Sequence, residues 1–280
     1  MSRWRTVDDI VAARDRRSAE IEALNANAPA MAAVHDGVRL RDGLTADVYV
    51  PPSKTVAVYV HAHGGAWNRG SARDCRKRAM QVAEAGFLVV NLDYRLAPEN
   101  PFPAAVADVV FAVGWAAREY GLPVALGGES AGANLAAVAA TVVSPAALLL
   151  VSGIYDVDAL LREGTSDTEL IVRAYLGQAG QPADPLVSPL RAPNLHAFPP
   201  AYVVCGDADP LLPQSLAFAG ALRAVALRVV PGAGHGFNRL PEFFGEVERY
   251  RTWLANASTS SGSVSQEHMN RQTPRPASQT

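Results

Sequence analysis

Short apolar runs alternate with longer stretches of mixed apolar and polar residues along most of the chain. The runs are nearly continuous, as in the strands of a parallel sheet that is covered on both faces. They span residues 56–60, 87–92, 124–126, 147–151, 202–205 and 227–230. The stretches between them are long enough for helices and span residues 74–85, 103–120, 131–143, 213–224 and 241–254. This alternation predicts an α/β protein with a doubly wound, mostly parallel sheet, in which sites form at the carboxyl ends of the strands.

Three other segments depart from this alternation. Residues 7–24 place apolar side chains at helical spacing among charges and predict an amphipathic helix. Apolar and polar residues alternate over 36–50 around Asp42-Gly43, which is typical of a hairpin. Residues 156–198 are too long for a simple crossover, so we expect them to form a small helical cap over the strand ends.

The pattern divides the chain into three parts. Residues 1–35 form an N-terminal helical segment, and residues 36–255 form one α/β domain that carries the cap insertion. Residues 256–280 are rich in Ser, Thr, Gln and Pro with almost no apolar side chains, so we expect a disordered tail. With 280 residues, 49% of them hydrophobic, the chain can bury a large core.

The composition argues against several classes of function. With 25 Lys and Arg against 27 Asp and Glu, the formal charge is −2, so we expect no binding to nucleic acid or to an anionic membrane surface. Cys75 and Cys205 form neither a CxxC pair nor a metal-ligand spacing, and we expect free thiols and no cofactor. Residues 1–5 lead into charged residues, unlike a secretory signal, and the apolar run at 146–151 is too short to cross a bilayer. These features predict a cytoplasmic protein.

A serine stands in the most informative turn of the chain. Residues 128–132 have the sequence Gly-Glu-Ser-Ala-Gly and directly follow a strand-like run. A Gly-x-Ser-x-Gly turn between a strand and a helix holds its serine in a strained bend, with the hydroxyl of Ser130 clear of the sheet as a nucleophile. The alternative interpretation is a Gly-rich turn with a capping serine. We expect Glu129 to make a structural hydrogen bond rather than to act as a second acid.

A serine hydroxyl is a poor nucleophile near neutral pH and needs a base within hydrogen-bond reach. His235 follows the last strand-like run in a Gly-rich loop, and Asp209 follows the run that ends at Cys205. The order serine, acid, histidine is the one expected for this fold. His235 would take the proton of Ser130 and return it to the leaving group, while Asp209 would orient the imidazole. Asp207 competes with Asp209 as the acid, although a turn-forming role also explains it.

An oxyanion hole is expected in the segment that follows the first of the apolar runs. Residues 63–67 have the sequence His-Gly-Gly-Ala-Trp, whose glycines let backbone N–H groups converge above the serine. The N–H of Ala131 can complete the set. Trp67 either packs in the core or walls the pocket. His61 and His63 point to opposite faces of a strand, which argues against a metal-binding pair.

Five motifs, in this order, resemble the hormone-sensitive-lipase-like α/β-hydrolases. They are His63-Gly64-Gly65-Ala66-Trp67, Asp93-Tyr94-Arg95-Leu96-Ala97-Pro98-Glu99, Gly128-Glu129-Ser130-Ala131-Gly132, Asp209-Pro210-Leu211 and Gly234-His235-Gly236-Phe237. The resemblance covers residues 36–255. It implies the α/β-hydrolase fold, with a mostly parallel doubly wound sheet and a small helical cap to which residues 1–35 contribute. It also implies a carboxylesterase-type activity.

The same resemblance implies roles for individual residues. Gly65 and Ala66 would donate N–H groups beside Ala131, while His63 and Gly64 would shape the loop. The stretch at residues 94–99 would brace the site without reacting. The family motif places the acid before Pro-Leu, which favours Asp209 over Asp207.

The expected reaction is hydrolysis of carboxylic esters with short acyl chains through an acyl-enzyme, because the pattern contains no large apolar lid helix for long-chain lipids. Ala66 stands where the family usually shows a third glycine, and His-Gly-Gly-x-Trp also resembles the kynurenine formamidase branch. Residues 153–156 and Gln214-Ser215 fit that branch as well, so an N-formyl or other amide substrate is an alternative. A third hypothesis is a non-hydrolytic member of the fold, a cyclase, a lyase or a binding protein. The acyl group, the leaving group and the oligomeric state, monomer or homodimer, stay open.

Overall fold

A single mixed sheet organises the part of the chain that the computed structural model describes, residues 6–12 and 18–259. Within these residues, eight strands follow the order β1-β2-β4-β3-β5-β6-β7-β8. The strands are β1 (Ala33–Arg41), β2 (Leu44–Val50), β3 (Ala57–Ala62), β4 (Phe87–Asp93), β5 (Val124–Glu129), β6 (Leu148–Val151), β7 (Ala201–Gly206) and β8 (Val225–Val230). β2 pairs antiparallel with β1 and with β4, and every other pair is parallel. The predicted mostly parallel sheet is confirmed.

Nine α-helices accompany the sheet in the described residues. They are α1 (Val7–Ala12), α2 (Ser18–Asn25), α3 (Arg76–Ala83), α4 (Ala104–Tyr120), α5 (Ala131–Ala139), α6 (Val157–Glu163), α7 (Ser166–Leu176), α8 (Leu212–Ala221) and α9 (Phe244–Thr259). The helices α4, α5 and α8 share one core cluster with the sheet, and α3 and α9 share the other. The sheet therefore has helices on both faces, which confirms the doubly wound α/β architecture.

The central strands explain the continuous apolar runs of the sequence. Every residue of β3 and of β5 is buried, as expected for strands that are covered on both faces. β1 and β2 form the predicted hairpin, with the turn at Asp42-Gly43, where Gly43 has a φ of 74°. β1 lies at the edge of the sheet, and its exposed side chains account for the more polar pattern of that segment.

The insertion at residues 156–198 contains the two helices α6 and α7. Asp156 caps the N-terminus of α6, and its side chain accepts a hydrogen bond from the N–H of Ala159 at 3.0 Å. Thr165 caps the N-terminus of α7 in a capping box that Thr168 completes. Side chains of α7 join the core, and α1 contacts α7. The N-terminal segment and the insertion thus lie against each other.

The helical boundaries differ from the sequence predictions at both ends of the chain. The segment predicted as one helix over 7–24 holds α1 and α2. α9 runs four residues past the expected domain end at 255, because Ala257 is buried against the sheet. The disorder predicted for residues 256–280 is therefore wrong for residues 256–259, which are helical, and residues 260–280 lie outside the described residues.

Candidate active site

Ser130 lies at the turn between β5 and α5 in a backbone conformation that residues with a side chain rarely adopt, with φ 53° and ψ −115°. Its N–H donates to the carbonyl of Val151 at 2.9 Å. The flanking glycines are required by the close approach of β3. A Cβ on Gly128 would lie 2.4 Å from the carbonyl oxygen of Ala62, and a Cβ on Gly132 would lie 2.0 Å from the same atom. Strand packing therefore holds the serine in its strained bend.

Side chains that follow three different strands form one chain of hydrogen bonds. His235 Nε2 lies 3.1 Å from Ser130 Oγ. On the other side of the ring, His235 Nδ1 lies 3.0 Å from Oδ2 and 3.2 Å from Oδ1 of Asp209. These distances allow a proton to pass from the hydroxyl to the imidazole. The structure thus brings together the three residues that the sequence predicted as nucleophile, base and acid.

In this series of hydrogen bonds, the carboxylate of Asp209 is buried, whereas the imidazole of His235 is open to solvent. The side chain of Asp209 is 0% exposed and that of His235 is 41% exposed. Burial raises the pKa of Asp209, but the hydrogen bonds from His235 and from the N–H of Leu211 outweigh burial and leave the pKa below its ordinary value. The carboxylate therefore stays ionised beside the imidazole. Asp207 instead accepts a hydrogen bond from the N–H of Gly232 at 2.8 Å, as a turn-forming residue does.

The loop after β3 turns through three consecutive positive φ angles, 133° at Gly65, 54° at Ala66 and 61° at Trp67. A Cβ on Gly65 would lie 2.0 Å from the carbonyl oxygen of Arg69, so only glycine fits there. Within the described residues, the backbone N–H groups of Gly65, Ala66 and Ala131 donate to no protein acceptor. The three N–H groups predicted for the oxyanion hole are therefore free to bind an oxygen of a ligand.

A family model of the alpha/beta hydrolase fold matches residues 59–239, a span that contains all of these residues. This chain belongs to the α/β-hydrolase family. The membership confirms the fold that the five motifs implied.

Named relatives of this α/β-hydrolase agree with the group that the motifs resemble. The carboxylic ester hydrolase LipN of Mycobacterium tuberculosis is 35% identical over 215 residues, which cover 65% of this chain and 57% of LipN. An esterase from Pyrobaculum calidifontis superposes with a TM-score of 0.79 at 27% identity, over 92% of this chain and 95% of the other. An esterase from the bacterial hormone-sensitive lipase family superposes with a TM-score of 0.76 at 28% identity, over 92% and 94% of the two chains. The resemblance to hormone-sensitive-lipase-like hydrolases is thus confirmed, although the chain spans little more than half the length of LipN.

His63 and Tyr94 support the loop that follows β3 in this hydrolase. The Nδ1 of His63 lies 2.7 Å from the carbonyl oxygen of Gly64, and the Tyr94 hydroxyl donates to the carbonyl of His63 at 2.9 Å. The two rings stack with their centroids 4.2 Å apart. Because burial lowers the pKa of His63, its ring stays neutral and Nδ1–H can donate to Gly64. These contacts agree with the loop-shaping role expected of His63 and with the bracing role expected of the stretch at residues 94–99.

Trp67 lies in the core and joins the loop to the cap. Its side chain is buried, with Nε1 donating to Oδ1 of Asn134 at 3.2 Å and the ring stacked on Tyr175 of α7 at 4.3 Å. Beside it, Nδ2 of Asn68 donates to the carbonyl of Ile171 in α7 at 3.1 Å. Of the two interpretations of Trp67, the structure favours core packing.

Glu129 makes the structural contacts that the sequence predicted, with partners that it did not predict. Its buried carboxylate accepts from Nε and Nη2 of Arg78 at 2.6 and 3.0 Å, and from Nδ2 of Asn238 at 2.7 Å. Asn238 stands three residues after His235, a proximity that could have singled it out. Arg78 follows other basic residues at the start of α3, and that pattern does not distinguish it from an exposed cation.

The residues that fit the formamidase branch have structural contacts here. Oε1 of Gln214 accepts hydrogen bonds from the N–H groups of Tyr155 and Asp156, both at 2.8 Å. The ring of Tyr155 stacks on Phe218 at 4.1 Å. These residues join the loop after β6 to α8.

The remaining chemical groups of the hydrolase agree with structural roles. Cys75 and Cys205 are free and buried, and burial raises the pKa of Cys205 to about 11. Burial lowers the pKa of His61 to about 4. Among the residues that the structure describes, no three His, Cys, Asp or Glu side chains group as metal ligands. The described helices include none with the length and apolar character needed to span a membrane.

Proposed function

We propose that this α/β-hydrolase cleaves carboxylic esters with short acyl chains through an acyl-enzyme on Ser130. The observation that carries the proposal is the unbroken chain of hydrogen bonds from Ser130 through His235 to Asp209. The relatives named above are esterases, which supports an ester over other acyl substrates.

In the first half of the reaction, Ser130 Oγ attacks the ester carbonyl carbon while His235 Nε2 takes the hydroxyl proton. The buried carboxylate of Asp209 stabilises the imidazolium that forms. The carbonyl oxygen becomes an oxyanion, which the N–H groups of Gly65, Ala66 and Ala131 would bind. Each such donor is typically worth ~3–4 kcal/mol of the barrier.

The tetrahedral intermediate then collapses and the ester C–O bond breaks. His235 returns the proton to the leaving alkoxide, which departs as an alcohol and leaves the acyl group on Ser130 Oγ. A water molecule gives its proton to His235 and attacks the acyl carbon. The acid is released when the proton passes back to Ser130 Oγ, which regenerates the free enzyme.

The cap supports a preference for short acyl chains. Burying each methylene of an acyl chain contributes about 0.8 kcal/mol to binding, so a long-chain esterase needs an extended apolar cover. The described part of the insertion offers the seven-residue α6 and the eleven-residue α7, and α7 turns its apolar face to the core. His235 is also open to solvent. These features support small esters as substrates.

The test is hydrolysis of p-nitrophenyl acetate, octanoate and palmitate, with Ser130→Ala as the decisive variant and Ser53→Ala as its control at an exposed position. We expect kcat/KM to fall from acetate to palmitate and to vanish in Ser130→Ala only. A fluorophosphonate probe should label the wild-type protein and Ser53→Ala but not Ser130→Ala.

Two outcomes would overturn the proposal. Turnover of N-formylkynurenine far above that of the esters would select the formamide alternative. Absence of both labelling and hydrolysis would favour the non-hydrolytic hypothesis. A cytoplasmic location stays a prediction.

A further inference from the structure

The carboxylate of Glu129 connects two segments whose relative position matters for the proposed reaction. Glu129 directly precedes Ser130 and is the last residue of β5. Its Oε1 accepts from Nδ2 of Asn238 at 2.7 Å, and Asn238 lies in the short turn Phe237–Arg239 that follows His235. One hydrogen bond therefore joins the serine turn to the histidine loop behind the reacting atoms.

Backbone hydrogen bonds hold the start of the histidine loop, where the N–H of Gly232 donates to Asp207 at 2.8 Å and the N–H of Ala208 donates to the carbonyl of Ala233 at 3.0 Å. Gly232, Gly234 and Gly236 surround His235, and Gly232 and Gly236 have φ angles of 71° and 78°. A Cβ on any of the three would meet no heavy atom within 4 Å, other than the side chain of Arg239 at 4.0 Å from Gly236. Packing leaves open space around these three glycines, so the hydrogen bond of Asn238 adds a restraint to the backbone hydrogen bonds of the loop.

The Glu129 end of the link is rigid. Arg78 of α3 holds both oxygens of the carboxylate, and Arg78, Glu129 and Asn238 are all at least nine-tenths buried. In these surroundings a carboxylate that accepts charge-assisted hydrogen bonds keeps a defined orientation. The anchor can thus hold Asn238, and through it the loop, at a fixed distance from Ser130.

We propose that Asn238 is a positioning residue, which with Glu129 and Arg78 forms a tether that sets the distance between His235 and Ser130. The inference rests on the roles proposed above for Ser130 and His235. The side chains of Asn238 and Glu129 bond to each other rather than to the hydroxyl of Ser130, so the tether acts through the backbone of the two loops. Loss of the tether lowers kcat while substrate binding stays close to normal.

The first experiment compares Asn238→Ala with Asn91→Ala. Asn91 is equally buried and donates to the carbonyl of Ala72 at 2.7 Å, far along the chain from the serine and histidine loops. Misplacement of a catalytic group by about 1 Å costs on the order of 100-fold in rate. We expect Asn238→Ala to lower kcat and the rate of fluorophosphonate labelling by about 10-fold to 100-fold, with little change in KM, while Asn91→Ala keeps both rates.

Exchanging the carboxylate at position 129 with the amide at position 238 gives a second, independent test. Asn238→Asp places a second carboxylate against Glu129, and Glu129→Gln leaves the buried Arg78 without its counter-ion. In the double variant Glu129→Gln/Asn238→Asp, the amide introduced at position 129 donates to the new carboxylate, and the cluster regains its net charge. We expect each single variant to lose kcat and the double variant to recover most of it.

The outcomes separate the tether from the proposed function. Wild-type protein that neither hydrolyses esters nor labels would refute the proposed function itself. An active wild type with Asn238→Ala no slower than Asn91→Ala would overturn the tether. If Asn238→Ala does not fold, the exchange decides, because a folded double variant as slow as Asn238→Asp would also overturn it.

Discussion

Glu129 makes the stability of this protein sensitive to acid. Its carboxylate is buried and paired with Arg78. Burial raises the pKa of Glu129, but the charge and hydrogen bonds of Arg78 outweigh burial and lower the pKa from 4.5 to about 2. The folded protein therefore favours the ionised form of Glu129 more than the unfolded chain does.

The size and the sign of the effect follow from this difference. A carboxyl group whose pKa is lowered by folding stabilises the fold above its unfolded pKa, and the contribution is lost as the pH falls towards the folded pKa. A difference of about 2.5 units at about 1.4 kcal/mol per unit gives about 3 kcal/mol at neutral pH. About 2 kcal/mol of this contribution disappears between pH 6 and pH 3.

Urea unfolding of the wild type and of Glu129→Gln at a series of pH values measures this contribution. At pH 7 we expect Glu129→Gln to be less stable by ~3–5 kcal/mol, because the buried charge of Arg78 loses its partner. The difference in the free energy of unfolding between the two proteins should decrease by about 2 kcal/mol as the pH falls from 6 to 3. Glu163→Gln, which removes an exposed carboxylate of α6, should run parallel to the wild type over this range. If the difference in the free energy of unfolding between the wild type and Glu129→Gln stays constant with pH, the reasoning is refuted.

Two further substitutions, each with a control variant, test other parts of the site. Asp209→Asn should lower kcat for p-nitrophenyl acetate by on the order of 10³–10⁴-fold without unfolding the protein, because the amide no longer holds the imidazole as a carboxylate does. Asp207→Asn should stay near wild type, and a larger loss there would contradict the assignment of the acid. Tyr175→Ala should lower the stability by ~3–5 kcal/mol and slow the enzyme, because it removes the ring that stacks on Trp67. Tyr175→Phe keeps the ring, and the hydroxyl has no partner among the described residues, so a thermal melt should find it unchanged or more stable than wild type.

The architecture and the reacting residues could be predicted from the sequence because local rules determine both. A parallel strand that is buried on both faces must be apolar throughout, and β3 and β5 show this directly in their composition. The turn at Ser130 needs glycines wherever β3 approaches it. Gly128 and Gly132 can therefore be recognised in the sequence as the two glycines that flank the serine in the Gly-x-Ser-x-Gly pattern. The three parallel strand ends then bring Ser130, Asp209 and His235 to one edge without further assumptions.

The supporting contacts could not be predicted in the same way, because they join positions that share no local pattern. Arg78 is 51 residues from Glu129, and the sequence does not distinguish it from the other basic residues at the start of the helix. The stacking of Trp67 on Tyr175 depends on where the cap helix α7 lies, and the length of an insertion does not determine its position. The four-residue extension of α9 past the expected domain end depends likewise on packing, since Ala257 is no more apolar than other alanines in exposed tails.

The strain at Ser130 explains why so many supporting contacts converge on this turn. A residue other than glycine at a φ of 53° outside the helical basin costs on the order of 1–3 kcal/mol, and it persists only where its surroundings leave no relaxed alternative. β3 blocks movement on one side through its contact with Gly132, and the hydrogen bond to Val151 ties the amide of Ser130 to β6. Arg78 holds the carboxylate of the preceding residue, Glu129. The buried ion pair and the exposed hydroxyl are therefore parts of one arrangement, in which the rigidity behind the turn keeps Ser130 Oγ within 3.1 Å of His235.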